Sequence, residues 1–284
     1  MLIANFFLNL KSSKMTVFFV ILLAFIIIGA GYFLYNKVIV GQENNQAVEE
    51  VDLTFDPEGP YALLYPRRDG NALVLNIKRT ASYDEIRYEL AYNAEGVDRG
   101  AQGTINTKEK KGEYEQEILF GSCSTGGKCV FDKDVKNGTL TLHIRKGKQA
   151  YRMITQWNMQ KPDIELGLLV SGDNHFSFKA KASAEDLALI KFTIINELTG
   201  APKLPNDRIV LGKVYALNAP IAKTLPAGQV SIELVEDPAA DSQIARFDEA
   251  LGKWVEYETK IDGSKLSASP DQGGVFTVLT SKKD

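Results

Sequence analysis

The chain has 284 residues, 44% of them hydrophobic and 24% charged, which is the make-up of one or two ordinary globular domains. Lys plus Arg number 33 against 36 for Asp plus Glu, so the basic excess of a nucleic-acid binder is excluded. Two Cys and two His leave little material for a metal centre or for His-based catalysis.

Met15 to Tyr35, MTVFFVILLAFIIIGAGYFLY, runs without a charge. At about 1.5 Å per residue it reaches roughly 32 Å, against about 30 Å for a bilayer's hydrocarbon core. Residues 15–36 therefore read as a single transmembrane helix. A cleaved signal peptide is the rival, because Gly29-Ala30-Gly31 offers small residues, but Tyr32-Phe33-Leu34-Tyr35 carries the apolar run past them. Lys11 and Lys14 precede the run, and Lys37, then Glu43, Glu49, Glu50 and Asp52 follow it. That asymmetry keeps the N-terminus in the cytoplasm and puts the C-terminal body outside. Residues 1–14 then form a cytoplasmic stub, and the polar residues 37–50 a stalk.

From Val51 onward the apolar period is two. Leu73, Leu75 and Ile77 alternate with Val74, Asn76 and Lys78. Ile86, Tyr88, Leu90 and Tyr92 form a second such series, and Leu140, Leu142 and Ile144 a third. Each predicts a strand with one buried and one wet face, which would leave Asn76 wet. Arg145-Lys146-Gly147-Lys148 reads as a hairpin turn into a strand over 151–159. Gln160-Lys161-Pro162-Asp163 is the best domain boundary, and eight further strands are expected beyond it, one of them at 189–195. Ser183 followed by Asp186 predicts the cap of one helical turn. The fold class is all-β: two antiparallel β-sandwich domains, 51–161 and 162–284, behind the N-terminal helix.

Few residues offer chemistry. Cys123 and Cys129 flank a Gly-rich loop, and outside the membrane such an isolated pair reads as a disulfide; a redox pair is usually C-x-x-C. His143 falls on a wet strand face and His175 in a turn, both expected as plain surface residues. Asp132-Lys133-Asp134 with Asn137-Gly138 has the look of a calcium loop but lacks its third acidic position and distal Glu. Asp237, Asp241, Asp248 and Glu249 read as wet loops. Tyr88 and Tyr92 share parity with the core, Tyr65, Tyr83 and Tyr151 are freer to be exposed, and Trp157 and Trp254 are core anchors. Asn137-Gly138-Thr139 is a formal glycosylation sequon. No catalytic, cofactor or metal-ligating set is assigned.

The closing stretch contains Ala-Leu-Gly-Lys-Trp254-Val, Ile261-Asp262-Gly263-Ser-Lys-Leu266-Ser-Ala and Gly273-Gly274-Val275-Phe276-Thr-Val-Leu279. In that order it resembles the final hairpins of β-sandwich modules of bacterial cell-surface proteins, and is similar to the sandwich shared by ankyrins and netrin receptors. Glu89-Leu-Ala-Tyr92 and Phe120-Gly-Ser-Cys123 resemble stretches of uncharacterised membrane-anchored bacterial envelope proteins. The resemblance implies a fold class and an assembly or adhesion setting, with no catalytic residues to carry over.

The expected protein is thus a non-enzymatic, extracytoplasmic structural or interaction protein of the cell membrane, with no cofactor. It would hold an envelope protein or wall polymer as partner and no nucleic acid. A carbohydrate- or wall-binding module is the alternative, and a tethered hydrolase the third reading.

Overall fold

The computed structural model describes residues 14–34, 49–109, 111–162 and 167–282. The chain falls into two units, Met1–Glu49 and Glu50–Asp284. In the first, α1 (Lys14–Leu34) is a 21-residue helix. Its side chains are described over residues 21–32, roughly 18 Å of helix. No helix among the described residues is long and apolar enough to cross a membrane. The expected stub lies outside the described residues except for Lys14, and the stalk except for Glu49 and Glu50.

The second unit is all-β with antiparallel sheets. Its first half holds β1 (Glu50–Asp52), β2 (Tyr61–Pro66), β3 (Ala72–Lys78), β4 (Glu85–Ala94), β5 (Val97–Ile105), β6 (Glu113–Leu119), β7 (Gly121–Cys123), β8 (Cys129–Phe131), β9 (Asn137–Lys146) and β10 (Gln149–Gln160). The second half holds β11 (Leu168–Val170), β12 (Phe176–Ala180), β13 (Thr193–Glu197), β14 (Arg208–Asn218), β15 (Gly228–Glu233), β16 (Gln243–Asp248), β17 (Lys253–Glu256), β18 (Lys260–Asp262), β19 (Lys265–Ala268) and β20 (Gly274–Ser281). One short helix, α2 (Ala184–Ala188), is capped as expected: Ser183 Oγ accepts from the Asp186 amide at 3.1 Å.

Among the described residues, one long sheet runs β17-β16-β20-β14-β13-β10-β9-β4-β5, with β1 parallel beside β10. Three strands, β2-β3-β6, form a second sheet, and β11-β12-β15-β19-β18 a third. The three-stranded sheet is covered on both faces by the long one. On one face Leu64, Leu73, Leu75 and Ile77 pack with Ile86, Leu90, Leu142 and Trp157. On the other, Tyr61 and Leu63 pack with Leu198, Val214, Ala216 and Val275. Gly138 lets Trp157 come this close, since a Cβ there would meet the Ala91 carbonyl and the indole. The outer edge of β2 is closed by side chains: Asn196 and Asn218 donate to the Ala62 and Leu64 carbonyls at 2.8 and 3.1 Å.

The five-stranded sheet covers the opposite face of the long sheet's second half. Phe176, Phe178, Val230 and Ile232 meet Tyr215, Leu217, Phe276 and Val278 there. Neighbouring residues of β14 and β20 point to opposite faces, so each strand serves two cores.

The hairpin at Gly147 forms as expected, with Gln149 opposite Lys146 and Gly147 at φ 60°. At the boundary expected at Pro162 the backbone ladder continues, Trp157 opposite Asn196 through Gln160 opposite Thr193, and Ile194 from beyond it packs into the first core. The strand expected at 189–195 begins only at Thr193. Lys191 adopts φ 67°, a left-handed turn closing α2. The β18–β19 hairpin falls on the Ile261–Ala268 stretch that resembles a closing sandwich hairpin, although each strand is too short to show a period. The wet face expected of β3 is corrected as well. Asn76 is only 9% exposed, because that face looks into the second half of the body.

Candidate functional site

A cleft of about 660 Å³ opens where the free end of the three-stranded sheet's second face meets the chain beyond it. Tyr65, Asn76, Lys78 and Glu115 form one wall. The others are residues 217–225, which leave β14, residues 246–250 at the β16–β17 turn, and residues 272–275 entering β20. The register sets the first wall. Asn76 stands between Leu63 of β2 and Glu115 of β6 on the face opposite Leu75. Where β2 presents Tyr61 and Leu63 that face is closed by apolar packing, and towards β6 it gives way to polar groups.

The β6 edge carries Glu113, Glu115 and Glu117 on this face, each held by a neighbour. Lys78 pairs with Glu113, the Asn76 amide donates to Glu115 at 3.3 Å, and Arg67 meets Glu117 at 2.8 Å. Such charges blunt an exposed strand edge. The side-chain oxygen of Asn76, Oδ1, is buried with no hydrogen-bond partner. A buried acceptor left unmet costs about 1–3 kcal/mol.

Across the cleft Arg246 is 3% exposed and fully engaged. It donates to the Tyr257 hydroxyl at 3.0 Å and to Asp248 at 3.1 Å, with Asp271 at 3.3 Å. Burial alone would lower its pKa, but Tyr257 and the two acids outweigh that and raise it. Tyr65 is pushed well above the usual phenol range by burial and by the Glu249 carboxylate, so it stays a neutral donor. Gly273 permits the loop to close: a Cβ there would come within 2.9 Å of Leu225. Ala222 in the same loop holds φ 67°, strained for a residue with a side chain. Lys78, Lys223 and Arg246 balance Glu115, Asp248 and Glu249, so the wall has no net preference for an ion of either sign.

A second polar cluster lies at the turn before β12. Asp173 accepts from Ser171, from Lys213 at 2.9 Å, from the Tyr215 hydroxyl at 2.9 Å and from the His175 amide at 3.1 Å. Burial works against its charge, but these donors outweigh it and hold the carboxyl far below the usual range. Lys213 also pairs with Glu197 at 2.9 Å, yet burial still raises the Glu197 pKa. The cluster ties the turn to β13 and β14 and is spent on itself.

The residues expected from sequence lie apart from this cleft, with the exception of Tyr65, Asp248 and Glu249. Cys123 and Cys129 form a disulfide across the β7–β8 hairpin. The Ser124 amide donates to the Lys128 carbonyl and the Asp132 amide to the Phe120 carbonyl, which leaves the cysteines at a non-hydrogen-bonded pair with Cα atoms 4.0 Å apart.

His143 is not a plain surface residue. β1 brings Glu50 to within 2.9 Å of its Nδ1, and Nε2 lies 3.6 Å from Glu89. His175 sits half-buried in its turn, with Asp173 capping its amide. Asp132 accepts from Tyr92, whose pKa burial and that carboxylate push up to about 12. No group of three or more His, Cys, Asp or Glu able to hold a metal occurs among the described residues. Asp241 bonds Thr280 and the Ser281 amide, and is held down at about 2 by the Ser281 contacts. Tyr88, Tyr92, Trp157 and Trp254 are core as expected; Tyr83, expected to be exposed, is buried, and Tyr65 is half-buried.

Sequence reasoning missed Asn76, Arg246 and Asp173. The first had a legible signal: a lone amide in the run Ala-Leu-Val-Leu-Asn-Ile, which is apolar on both parities. No protein-family model, curated protein or solved structure matches the chain.

Proposed function

We propose that the protein is a membrane-tethered interaction module, with residues 15–36 as the anchor and the β body outside, presenting the cleft beside Asn76 to a partner in the envelope. The body is read as two sandwiches fused through the shared long sheet. Support for the anchor comes from the uncharged run Met15 to Tyr35 and from the exposed apolar side chains Ile21, Leu23, Phe25, Ile26 and Ile28 on α1, which only lipid or protein would cover. The Lys11 and Lys14 flank supports the orientation.

Binding rather than catalysis is carried by one observation: Lys78, Arg246 and Asp248 in the cleft wall are each already paired, while a buried amide oxygen in that wall has no partner. A general acid or base needs a proton it can exchange with a substrate. Here Arg246, Asp248 and Asp271 lock one wall, and Lys78 and Glu113 the other.

The test is a photo-crosslinker placed at Ile221, an exposed residue of the cleft's loop, in intact cells. Crosslinks to envelope material, with protease on intact protoplasts digesting the body, support the reading. Absence of any crosslink, or a body protected from protease, overturns it.

A further inference from the structure

We infer that the outer edge of β6 takes an extended segment of a partner protein, added antiparallel to the inner sheet, with Lys or Arg at every second position and apolar residues between. The inference rests on the proposed interaction module, whose cleft β6 borders through Glu115, and names the chemistry of its partner. The ladder shows which backbone groups are free. The Phe120 amide donates to the Asn71 carbonyl at 2.8 Å, and the Arg67 amide to the Ala72 carbonyl at 2.8 Å. Asn71 therefore turns to β6 and Ala72 to β2, and antiparallel alternation carries this pattern along β3. Tyr114, Gln116 and Ile118 bond back to β3, while the amides and carbonyls of Glu113, Glu115, Glu117 and Leu119 point out from the edge. Among the described residues no strand pairs with that side of β6, and the Gln116 side chain caps the Glu117 carbonyl at 2.8 Å. An edge of this kind is a template for another strand.

The facing sheet supports an added strand independently. Over the first core the long sheet extends through β4 to β5, and β5 is incompletely covered. Its register with β4 puts Val97, Ala101 and Ile105 on the core-facing side, beside Ala94, Leu90 and Ile86. Ile105 is buried, but Ala101 is half-exposed and Val97 is 50% exposed. A strand beyond β6 would turn every second side chain towards this uncovered apolar surface.

The other face sets the remaining positions. Glu113 and Glu117 are met by Lys78 and Arg67, Arg67 is shared with Asp69, and Glu115 is met by the Asn76 amide rather than a cation. Carboxylates thus outnumber cations along the edge. A second copy of β6 laid here would set acid against acid, whereas Lys or Arg opposite each Glu is favourable. Residues directly opposite in an antiparallel pair share a face, so the basic residues are also the ones whose backbone would close the ladder with Glu113, Glu115 and Glu117.

The experiment uses the full chain in mild detergent and a fluorescent peptide of about nine alternating Lys and Val residues, long enough to span the edge, read by anisotropy. It should bind, more weakly at high salt. N-methylation of its Lys amides should weaken binding by at least about tenfold, and N-methylation of its Val amides should leave it unchanged. The same residues in block order, and an alternating Glu and Val peptide, should each bind at least about tenfold more weakly. Glu115→Pro removes an outward N–H without touching the β3 ladder, a place where an edge strand tolerates proline, and should weaken binding similarly. The methylated peptides leave the protein unaltered, so they decide the matter even where the proline variant does not fold.

Equal effects of the two methylation patterns, or equal binding of the block-order peptide, overturn the inference. So does a full chain that dimerises in sedimentation and becomes monomeric with Glu115→Pro, since the edge would then serve a second copy. If the Lys and Val peptide does not bind while Ile221 still crosslinks to envelope material, the inference fails and the interaction module stands. If neither binds nor crosslinks, both fail.

Discussion

The three-stranded sheet and the five-stranded sheet are built from the same kind of strand and read quite differently. β2 is Tyr-Ala-Leu-Leu-Tyr-Pro, buried at five of its six positions, and β3 is buried at Ala72, Leu73, Leu75, Asn76 and Ile77. β12 is Phe-Ser-Phe-Lys-Ala, buried only at alternate positions, and β15 follows the same rule. The first sheet has protein on both faces, and the second has it on one. A sheet covered twice needs apolar side chains at both parities, whereas a sheet covered once needs them at every second residue. The polar residue that survives in a doubly covered strand is then out of place unless it has a task, which is why Asn76 stands out and Ser177 does not.

The largest consequence concerns separability. Cutting the chain at Pro162 leaves Tyr61 and Leu63 without the second-half residues that bury them, and takes Asn196 and Asn218 from the β2 edge. Residues 50–162 and 163–284 expressed apart should each lack a cooperative melt by circular dichroism, while residues 50–284 together unfold in a single transition. A fragment 50–162 that melts cooperatively by itself would break the comparison, because β2 and β3 would then need only one cover.

Next in size is a pair of truncations. Leu63→Ala, on the second face of the inner sheet, should cost about 2–5 kcal/mol in urea unfolding. Lys179→Ala, on the wet parity of β12, should stay within about 0.5 kcal/mol. Equal costs would mean that the two sheets are covered alike.

The Asp173 cluster gives a smaller effect with a sign. Asp173→Asn should cost about 1–3 kcal/mol, since Lys213 and Tyr215 lose a charged acceptor. The Asp173 pKa is lowered by folding, so its contribution is present above the unfolded carboxyl value and fades as the pH falls below about 4. Glu197 has its pKa raised, so it opposes folding at neutral pH and that penalty lifts as the pH falls through its folded value. Urea midpoints between pH 3 and 7 should therefore fall more shallowly for Asp173→Asn than for the wild type. They should fall more steeply for Glu197→Gln, which lacks the compensating gain. A wild-type acid limb unaltered in either variant would remove this cluster from the pH response.

The smallest effect is at the β7–β8 hairpin, which belongs to neither large sheet. Replacing Cys123 and Cys129 together with Ser should cost about 2 kcal/mol or less, because the closed loop is short. Free thiols measured under non-reducing denaturation should be absent from the wild type. A cost well above this would mean that the hairpin braces the first core.

Local patterns in the chain were enough for several features. The alternation at Ile86 to Tyr92 and Leu140 to Ile144, the Gly147 turn, the Ser183 cap and the Cys123–Cys129 pair each depend on neighbours within a few residues or on a short loop. Other strands left no mark. β5 is a Gly-containing edge exposed along most of its length, and β6 is an acidic edge with only Ile118 buried, so neither shows a clear apolar period. His143 reads as wet because parity says only which face a residue takes; that Glu50 covers it depends on β1 pairing with β10 about a hundred positions away in the chain.

The candidate site belongs wholly to tertiary structure. Asn76, Arg246 and residues 217–225 are far apart in sequence, and parity correctly placed Asn76 opposite Leu75. Whether that side meets water, a second sheet or a cleft is decided by how the long sheet passes from β10 into β13 and returns over the inner strands. A strand's own residues set its period and its faces, while what covers each face is set by packing among segments the chain brings together only on folding.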